Sequence, residues 1–314
     1  MQAPHKAISA QTPKEKFLVE LLDTLWERYR SRVEHARRYE TMVEKLGGTF
    51  LNDHIAFRTI ALQAPSAGIS RISRLFEPLG YRLAGAYEFP DKHLNALHYQ
   101  NINKGFPKLF ISELKTWELS DKARAIISAT LASHRPPLSD QDLAALEAMA
   151  PASRAAMLAA AVKYFSELPW TPPQKDDVVE LNKESQFAAW VLVNGYDVNH
   201  FTASVDSHGT GAIDDIEKTV TAMKRVGIPM KADIEGEPGS KLRQSATEAV
   251  TIDVEVRVGH EKSKMPWTYA YFEVAERPYL TNPASGKSER FEGFLGPQAT
   301  SLFEMTRKLP DAKG

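Results

Sequence analysis

The stretch His54-Ile-Ala-Phe-Arg-Thr-Ile60 predicts a β-strand, because it is rich in β-branched and aromatic side chains. Residues 68–79 have the composition of a helix that closes at Gly80. Further candidate strands follow at 81–89, 94–100 and 109–114. The first half of the chain therefore has the order β-α-β-β-β.

A second run of the same order begins near Gly195. It contains a candidate strand at 197–205 and a helix at 212–226 that ends at Gly227. Further candidate strands lie around Ile234, at 250–258 and at 267–275. Two modules of mixed strands and helices in one chain predict an α+β fold with an internal repeat.

Helical segments accompany the two modules. Residues 14–45 carry apolar side chains at the three-and-four spacing of one long amphipathic helix. Residues 121–167 are rich in Ala and Leu, and we interpret them as a helical insertion that covers a sheet face or makes a dimer contact. We thus divide the chain into an N-terminal helical segment (1–48), a first module (49–118), a helical insertion (119–180), a second module with the metal site (181–296) and a C-terminal tail (297–314) with a short helix at 299–308.

Composition and charge exclude several classes of function. Lys and Arg number 39 against 40 Asp and Glu, so the chain has no electrostatic footprint for nucleic acid or an anionic membrane. No stretch predicts a membrane span or a signal peptide, and we expect a cytoplasmic protein. There is no cysteine, which leaves His, Asp and Glu as the good metal ligands. The common motifs for phosphate loops, dinucleotide binding, serine hydrolases and HExxH zinc enzymes do not occur.

Two of the nine histidines occupy corresponding positions in the two modules. His54 opens the first strand of the first module and His200 lies in the first strand of the second, each after a small polar residue, Asp53 and Asn199. A single histidine in such a strand is more often a hydrogen-bonded core residue than a ligand. Because corresponding positions bring the two imidazoles together across a pseudo-twofold axis, the pair favours a metal site.

A carboxylate in the last strand of each module could complete that site: Glu113 in the first and Glu273 in the second. Glu273 lies between apolar neighbours, where a buried carboxylate is costly unless it is paired or bound to a metal. The alternation of a strand places Tyr271 and Ala275 on the same face as Glu273. The alternative is that Glu273 faces solvent on a half-exposed strand.

Arg58 shares a strand face with His54. Four residue rises, roughly 13 Å, separate them, and the long arginine side chain can reach back toward the carboxylate of a metal-bound anion. Arg58 could instead be only an ion-pair partner. Two histidines and one carboxylate leave metal positions open for substrate and dioxygen, but zinc hydrolases use similar ligands, so the ligand set alone does not decide the chemistry.

Five segments together resemble one family, the 2-oxoadipate dioxygenase/decarboxylase or hydroxyglutarate synthase family. The resemblance extends from about residue 46 to residue 294, and it depends on the order of the segments and their placement on the repeated strands. The segments are Asp53-His-Ile-Ala-Phe-Arg58, Phe110-Ile-Ser-Glu-Leu114, Asn199-His-Phe-Thr202, Lys241-Leu-Arg-Gln-Ser245 and Tyr271-Phe-Glu-Val-Ala-Glu-Arg277.

The resemblance implies a fold of the vicinal-oxygen-chelate type, in which the two modules form a barrel-like sheet around a metal site. It implies a mononuclear Fe(II) centre with His54, His200 and Glu273 as ligands. It also implies that Arg58 is the catalytic residue that holds a substrate carboxylate. The implied reaction converts 2-oxoadipate and dioxygen into 2-hydroxyglutarate and carbon dioxide, a step of lysine catabolism.

The resemblance further implies that Arg243 and Gln244 contact the substrate. Two other functions remain open at this point. A protein of the same fold could bind Zn, Ni or Mn through four ligands, with Glu113 as the fourth, and act as a glyoxalase-like isomerase or lyase. It could also be a small-molecule binding protein without a working metal.

Overall fold

The computed structural model, which describes residues 3–135, 138–281 and 286–295, is built around one seven-stranded sheet. The helices of eight or more residues are α1 (Pro13–Arg32), α2 (Glu34–Lys45), α3 (Ile69–Phe76), α4 (Asp121–Leu131), α5 (Asp140–Ala148), α6 (Arg154–Ser166), α7 (Lys175–Glu184), α8 (Gln186–Asn194) and α9 (Ile216–Arg225). The strands are β1 (Asn52–Ala61), β2 (Tyr81–Phe89), β3 (Leu94–Asn101), β4 (Lys108–Lys115), β5 (Val198–Ser204), β6 (Arg243–Ala246), β7 (Thr251–Val258), β8 (Glu261–Thr268), β9 (Glu273–Glu276), β10 (Tyr279–Thr281) and β11 (Ser288–Arg290).

The central sheet combines strands from both modules in the order β2-β3-β4-β1-β5-β9-β6. In the first module β1 is parallel to β4, and in the second β5 is parallel to β9. The first and last strands of each module therefore pair in the same way. The α+β fold with two related modules, which the sequence predicts, is confirmed.

The two modules meet where β1 and β5 pair in antiparallel order. His54 lies opposite Thr202 and Ala56 lies opposite His200. Since side chains alternate between the faces of a sheet, these four residues share one face, while the Ile55–Phe201 pair faces the other way. This join brings the two histidines of the repeat to one point on the sheet.

The strands of the second module differ from those that the sequence predicts. The strand expected around Ile234 is reduced to isolated bridges. The strand expected at 250–258 forms as β7, but it pairs with β8 in a separate hairpin, and the one expected at 267–275 is divided between the end of β8 and β9. In the central sheet, the partner of β9 on this side is the short strand β6 and not β7. The few buried side chains of this hairpin pack against α7 and α8. The local sequence pattern of a strand does not specify which elements it pairs with or packs against.

The N-terminal segment forms two helices, whereas the sequence predicts one. A capping box of Thr12 and Glu15 starts α1, and the chain leaves the helical conformation at Val33, with φ −107° and ψ 89°. The break redirects α2 so that the ring of Tyr39 lies 4.7 Å from that of Phe272. Both helices therefore pack on the sheet face that Phe201 occupies, which one straight helix could not do.

The helices of the insertion continue further along the chain than the sequence predicts. Three helices, α4 to α6, occupy the predicted range, and α7 and α8 continue to Asn194. The helix α7 runs across the boundary expected between residues 180 and 181. The division of the chain into five segments stays a prediction. The predicted helix at 299–308 lies outside the described residues. Among the helices that the structure describes, none is both long enough and apolar enough to cross a membrane.

The aromatic cluster between α1 and the sheet should dominate the stability of the N-terminal region. Trp26 is fully buried, with its ring 5.1 Å from Phe201 and 5.7 Å from Phe50. We expect Trp26→Ala to lower the free energy of unfolding in urea by about 3–5 kcal/mol, because it removes a large buried ring. The control is Trp117→Ala at an exposed tryptophan, which should change it by less than about 0.5 kcal/mol. Equal losses in the two variants would contradict this assignment.

Candidate metal centre

Three neighbouring strands each supply one side chain to a buried cluster of metal-binding groups: His54 from β1, His200 from β5 and Glu273 from β9. Nε2 of His54 is 3.4 Å from Nε2 of His200 and 3.4 Å from Oε1 of Glu273. Nε2 of His200 is 3.7 Å from Oε2 of Glu273. Donor atoms that bind one metal at about 2.0–2.2 Å lie at similar separations, so this group could hold a metal ion.

The carboxylate of Glu273 is the strongest reason to expect a cation in this cluster. Glu273 is completely buried, and neither of its oxygens accepts a hydrogen bond from the described part of the chain. Burial raises the pKa of the Glu273 carboxyl well above its ordinary value, and the nearby carboxylates of Glu235 and Asp53 raise it further. A buried carboxylate of this kind is costly unless a cation lies next to it. The solvent-facing alternative for Glu273 is therefore wrong.

Burial favours the neutral form of both imidazoles, which is the form that binds a metal. Burial lowers the pKa of His54, although its bond to Asp53 opposes this effect. Burial lowers the pKa of His200 further, and the positive charges of His54 and Arg58 add to the shift. In each ring Nδ1 lies within hydrogen-bonding distance of a side-chain oxygen, at 2.9 Å for Asp53 and 3.1 Å for Asn199. Nε2 of each ring is thus directed toward the shared site.

A cavity opens beside the cluster. Arg58 lines it on the same face as His54, as the sequence predicts. Its guanidinium carbon lies 5.0 Å from the ring centroid of Phe187 and 5.3 Å from that of Trp190, both on α8. Such stacking holds a cation over aromatic faces. The helical insertion therefore contributes to this site, which the sequence did not indicate.

The two substrate-contact candidates on β6 have different surroundings. Gln244 lines the cavity, and its Nε2 donates to Oε2 of Glu235 at 3.2 Å. Arg243 lies on the opposite face of the strand, where its guanidinium pairs with Glu217 at 2.6 Å and Glu276 at 3.4 Å. Because adjacent residues of a strand point to opposite faces, the expectation that Arg243 contacts a ligand in this cavity does not fit the structure.

The fourth ligand considered from the sequence, Glu113, lies away from the cluster. Its Oε2 accepts a hydrogen bond from the backbone N–H of Ile69 at 2.9 Å, at the N-terminus of α3. Ser112 lines the cavity, and Glu113 is the next residue of the same strand. The side chain of Glu113 therefore points to the opposite face of the sheet. The structure brings together three of the four proposed ligands, which disfavours the four-ligand alternative.

The register of the sheet shows which residue corresponds to Glu273 in the first module. Thr202 lies opposite Glu273 in the β5–β9 pair, and Ala56 lies opposite Phe110 in the β1–β4 pair. Thr202 and Ala56 each follow a ligand histidine by two residues. The counterpart of Glu273 is therefore Phe110, an apolar residue that lines the cavity.

The segment before the end of the described chain also reaches the site. The ring of Phe294 lies 4.9 Å from that of His54 and 4.8 Å from that of Phe110. Phe294 and Leu295 line the cavity. Arg277, in the loop after β9, donates hydrogen bonds to Asp53. Arg277 ends one of the segments that resemble the family, but that segment did not indicate a role for it, and no periodicity or motif near Phe294 could have shown that it approaches the site.

Two histidines and one glutamate beside an apolar cavity form the 2-His-1-carboxylate arrangement of non-haem metal enzymes. Here the arrangement lies at the junction of the two modules, where their strands join in one sheet. Fold and site together define a protein of the vicinal-oxygen-chelate class with a buried group of side chains that could hold a metal ion.

Comparison with known proteins assigns the chain to a family within this class. The family model described as 2-oxoadipate dioxygenase/decarboxylase matches residues 8–304. The chloroplastic 2-oxoadipate dioxygenase/decarboxylase of Arabidopsis thaliana is 30% identical over 277 residues, which cover 81% of this chain and 67% of that protein. The chain belongs to the 2-oxoadipate dioxygenase/decarboxylase family.

Solved structures have the same fold. The hydroxyglutarate synthase of Oryza sativa in complex with 2-oxoadipate matches with a TM-score of 0.74 and 26% identity, covering 96% of this chain and 95% of that chain. A glyoxalase superfamily protein of Ralstonia eutropha JMP134 matches with a TM-score of 0.77 and 24% identity, covering 91% of this chain and 87% of that chain. The family and fold that the sequence predicts are confirmed, and the chain is an enzyme of the dioxygenase/decarboxylase type.

Removing any one ligand should abolish stoichiometric metal binding. We expect His54→Ala, His200→Ala and Glu273→Ala each to lose it, because two remaining donors cannot hold the ion in a buried site. A double variant should be little worse than a single one, since the three groups act as a unit. The measurement is metal content per chain after anaerobic loading and desalting.

Glu113→Gln is the matched control, because it alters a glutamate in the last strand of the other module. It should keep full metal content, since Glu113 bonds the start of α3 and not the cluster. Full metal in any of the three ligand variants would remove that residue from the ligand set. Loss of metal in Glu113→Gln would restore the four-ligand alternative.

Proposed function

We propose that this enzyme is an Fe(II)-dependent oxygenase that converts 2-oxoadipate and dioxygen into 2-hydroxyglutarate and carbon dioxide. The equation balances, because the carboxylate next to the 2-oxo group leaves as carbon dioxide with its own two oxygens, one atom of dioxygen completes the new carboxylate at the former keto carbon, and the other becomes the hydroxyl group of the product. The family, and the complex of the Oryza sativa relative with 2-oxoadipate, support this choice of substrate. A role in lysine catabolism and a cytoplasmic location belong to the same proposal.

The observation that carries the proposal is that Arg58 lines the same cavity as His54 and His200, the two histidines that cluster with Glu273. A 2-oxo dicarboxylic acid has a chelating end, formed by its 2-oxo group and adjacent carboxylate, and a second carboxylate at the other end. The cavity offers a metal site for the first and a guanidinium for the second. Apart from Arg58, most of the lining is apolar or uncharged, which suits the short methylene chain between them.

The donor set fits Fe(II). His54, His200 and Glu273 would hold the ion, and the unpaired buried oxygens of Glu273 are the strongest reason to place a cation there. When bound, Fe(II) supplies open coordination positions for the 2-oxo acid and dioxygen and the redox chemistry of oxygen activation. Three protein ligands suit this demand better than four, because each further ligand removes an open position.

Arg58 binds and orients the substrate. Its planar guanidinium can meet a carboxylate through two parallel hydrogen bonds, which fixes the direction of the chain as well as its end. The rings of Phe187 and Trp190 restrict the motion of the guanidinium before substrate arrives. Trp190 is itself fixed, because its Nε1 donates to the backbone oxygen of Tyr269 at 2.6 Å.

The remaining lining residues shape the cavity and exclude water. Phe110, Leu242 and Phe294 present apolar surfaces to the cavity. Water excluded from this space strengthens the interactions of the substrate with Arg58 and the metal centre. Gln244 is the polar β6 residue that we place in contact with the substrate, because it lines the cavity and its amide is oriented by Glu235.

The direct test is anaerobic reconstitution with Fe(II), followed by a screen of 2-oxo acids. We expect 2-oxoadipate to cause uptake of one dioxygen and release of one carbon dioxide for each 2-hydroxyglutarate formed. Enzyme loaded with Zn(II) should show none of these changes. Turnover of a 2-oxo acid without oxygen uptake would instead indicate isomerase or lyase chemistry.

Arg58→Lys should weaken selection for dicarboxylic substrates and leave the metal in place. Lysine keeps the charge but lacks the fork and the stacking surface. Loss of a charge-assisted pair at a desolvated site costs about 2–5 kcal/mol, so kcat/KM for 2-oxoadipate should fall roughly thirty-fold to a few thousand-fold. The loss for 2-oxohexanoate, which has no second carboxylate, should be much smaller. Equal losses for the two substrates would show that Arg58 does not bind the distal carboxylate.

A further inference from the structure

The two ligand histidines are held by chemically different neighbours. Oδ2 of Asp53 lies 2.9 Å from Nδ1 of His54, whereas Oδ1 of Asn199 lies 3.1 Å from Nδ1 of His200. Asp53 and Asn199 occupy the same place in the two modules, immediately before the histidine. The repeat therefore carries a charged acceptor on one side and a neutral one on the other.

Asp53 is buried, and Arg277 makes the shortest contact with its carboxylate. Nε of Arg277 donates to Oδ1 of Asp53 at 2.7 Å, and Nη2 donates to Oδ2 at 3.0 Å. Both side chains are completely buried. Lys108 and Arg290 approach the same carboxylate at 3.5 Å and 3.4 Å. Because the two-point contact with Arg277 fixes the plane of the Asp53 carboxylate, it also fixes the direction in which Oδ2 faces His54.

The third nitrogen of Arg277 holds the segment that covers His54. Its Nη1 donates to the backbone oxygens of Phe291 at 3.0 Å and Gly293 at 2.6 Å. The next residue, Phe294, places its ring 4.9 Å from that of His54 at an interplanar angle of 89°. One arginine thus orients His54 from two sides, through Asp53 and through the packing of Phe294.

We propose that Asp53 and Arg277 are positioning residues of the metal centre, which hold the imidazole of His54 in the orientation that directs Nε2 to the metal. A carboxylate that accepts from Nδ1–H selects the tautomer with a free Nε2 and makes that nitrogen a better donor. Asn199 supplies only the neutral version of this contact, so His54 is the more strongly held of the two histidines. The inference rests on the proposed metal centre but not on the identity of the substrate.

The test must separate metal positioning from simple stability, because Asp53→Asn leaves Arg277 buried without its partner. The double variant Asp53→Asn/Arg277→Gln removes both charges and should recover most of the thermal stability that Asp53→Asn loses. The probe is Co(II), titrated anaerobically into metal-free protein and followed by its visible absorption bands. Thermal unfolding of each metal-free protein is measured alongside.

We expect Asp53→Asn to weaken Co(II) binding 10- to 100-fold, and the double variant to remain as weak although its stability is recovered. The bands of bound Co(II) should also shift in both variants, since the donor strength of His54 changes. Recovery of both affinity and stability in the double variant would show that the pair is only structural. Affinity within twofold of the wild type in Asp53→Asn would overturn the proposal, as would a wild-type protein that does not bind Co(II).

Asp23→Asn is the matched control. Asp23 forms a similar pair with a buried histidine, with Oδ1 3.0 Å from Nδ1 of His5, but that histidine is not among the metal-binding group. It should leave the Co(II) affinity and spectrum unchanged. If 2-oxoadipate proves not to be a substrate while Co(II) binding follows this pattern, the proposed function fails and the positioning role stands.

Discussion

The fully buried carboxylate of Glu273, which accepts no hydrogen bond from the described residues, is the constraint on which the site depends. A charge in that position is unfavourable unless a cation lies beside it, and a cation is held there only if the neighbouring strands place neutral donors at the same point. The antiparallel β1–β5 join does this with two imidazoles whose pKa values are lowered by burial. The sheet therefore has to be assembled before a metal can be bound with three protein ligands, and the metal in turn offsets the cost of burying Glu273.

The site residues that the sequence could predict are those whose position is a local property of a strand. Alternation along one strand puts Arg58 on the face of His54, and the cavity contains both. The internal repeat pairs His54 with His200, and their Nε2 atoms lie 3.4 Å apart. An isolated carboxylate among apolar neighbours pointed to Glu273 for the same local reason. Each of these arguments needs only side-chain direction and residue type.

What the sequence could not predict depends on strand partners and register. Whether β7 joins the sheet or forms a hairpin depends on what lies opposite it, and a pattern of alternating residues is the same in both cases. Glu113 seemed equivalent to Glu273 from its place in the last strand, but the register makes Phe110 the equivalent residue. Arg243 and Gln244 are adjacent, and a shift of one residue decides which of them lines the cavity. Arg277 and Phe294 reach the site only through contacts distant in sequence.

The residues that could be predicted from the sequence and those that could not have different roles in the site. The strands β1, β5 and β9 supply the three proposed metal ligands, whereas the parts that close the cavity come from outside the central sheet: α8 supports Arg58, and residues 291–294 cover His54. Asymmetry between the modules is needed for the chemistry, because a carboxylate at the position of Phe110 would give a fourth ligand and occupy space required by the substrate. At corresponding positions, the second module thus has the proposed ligand Glu273, and the first module has the apolar side chain of Phe110, which lines the cavity. In this way a fold with an internal repeat gains a cavity with a direction, with the proposed metal ligands at one end and a guanidinium at the other.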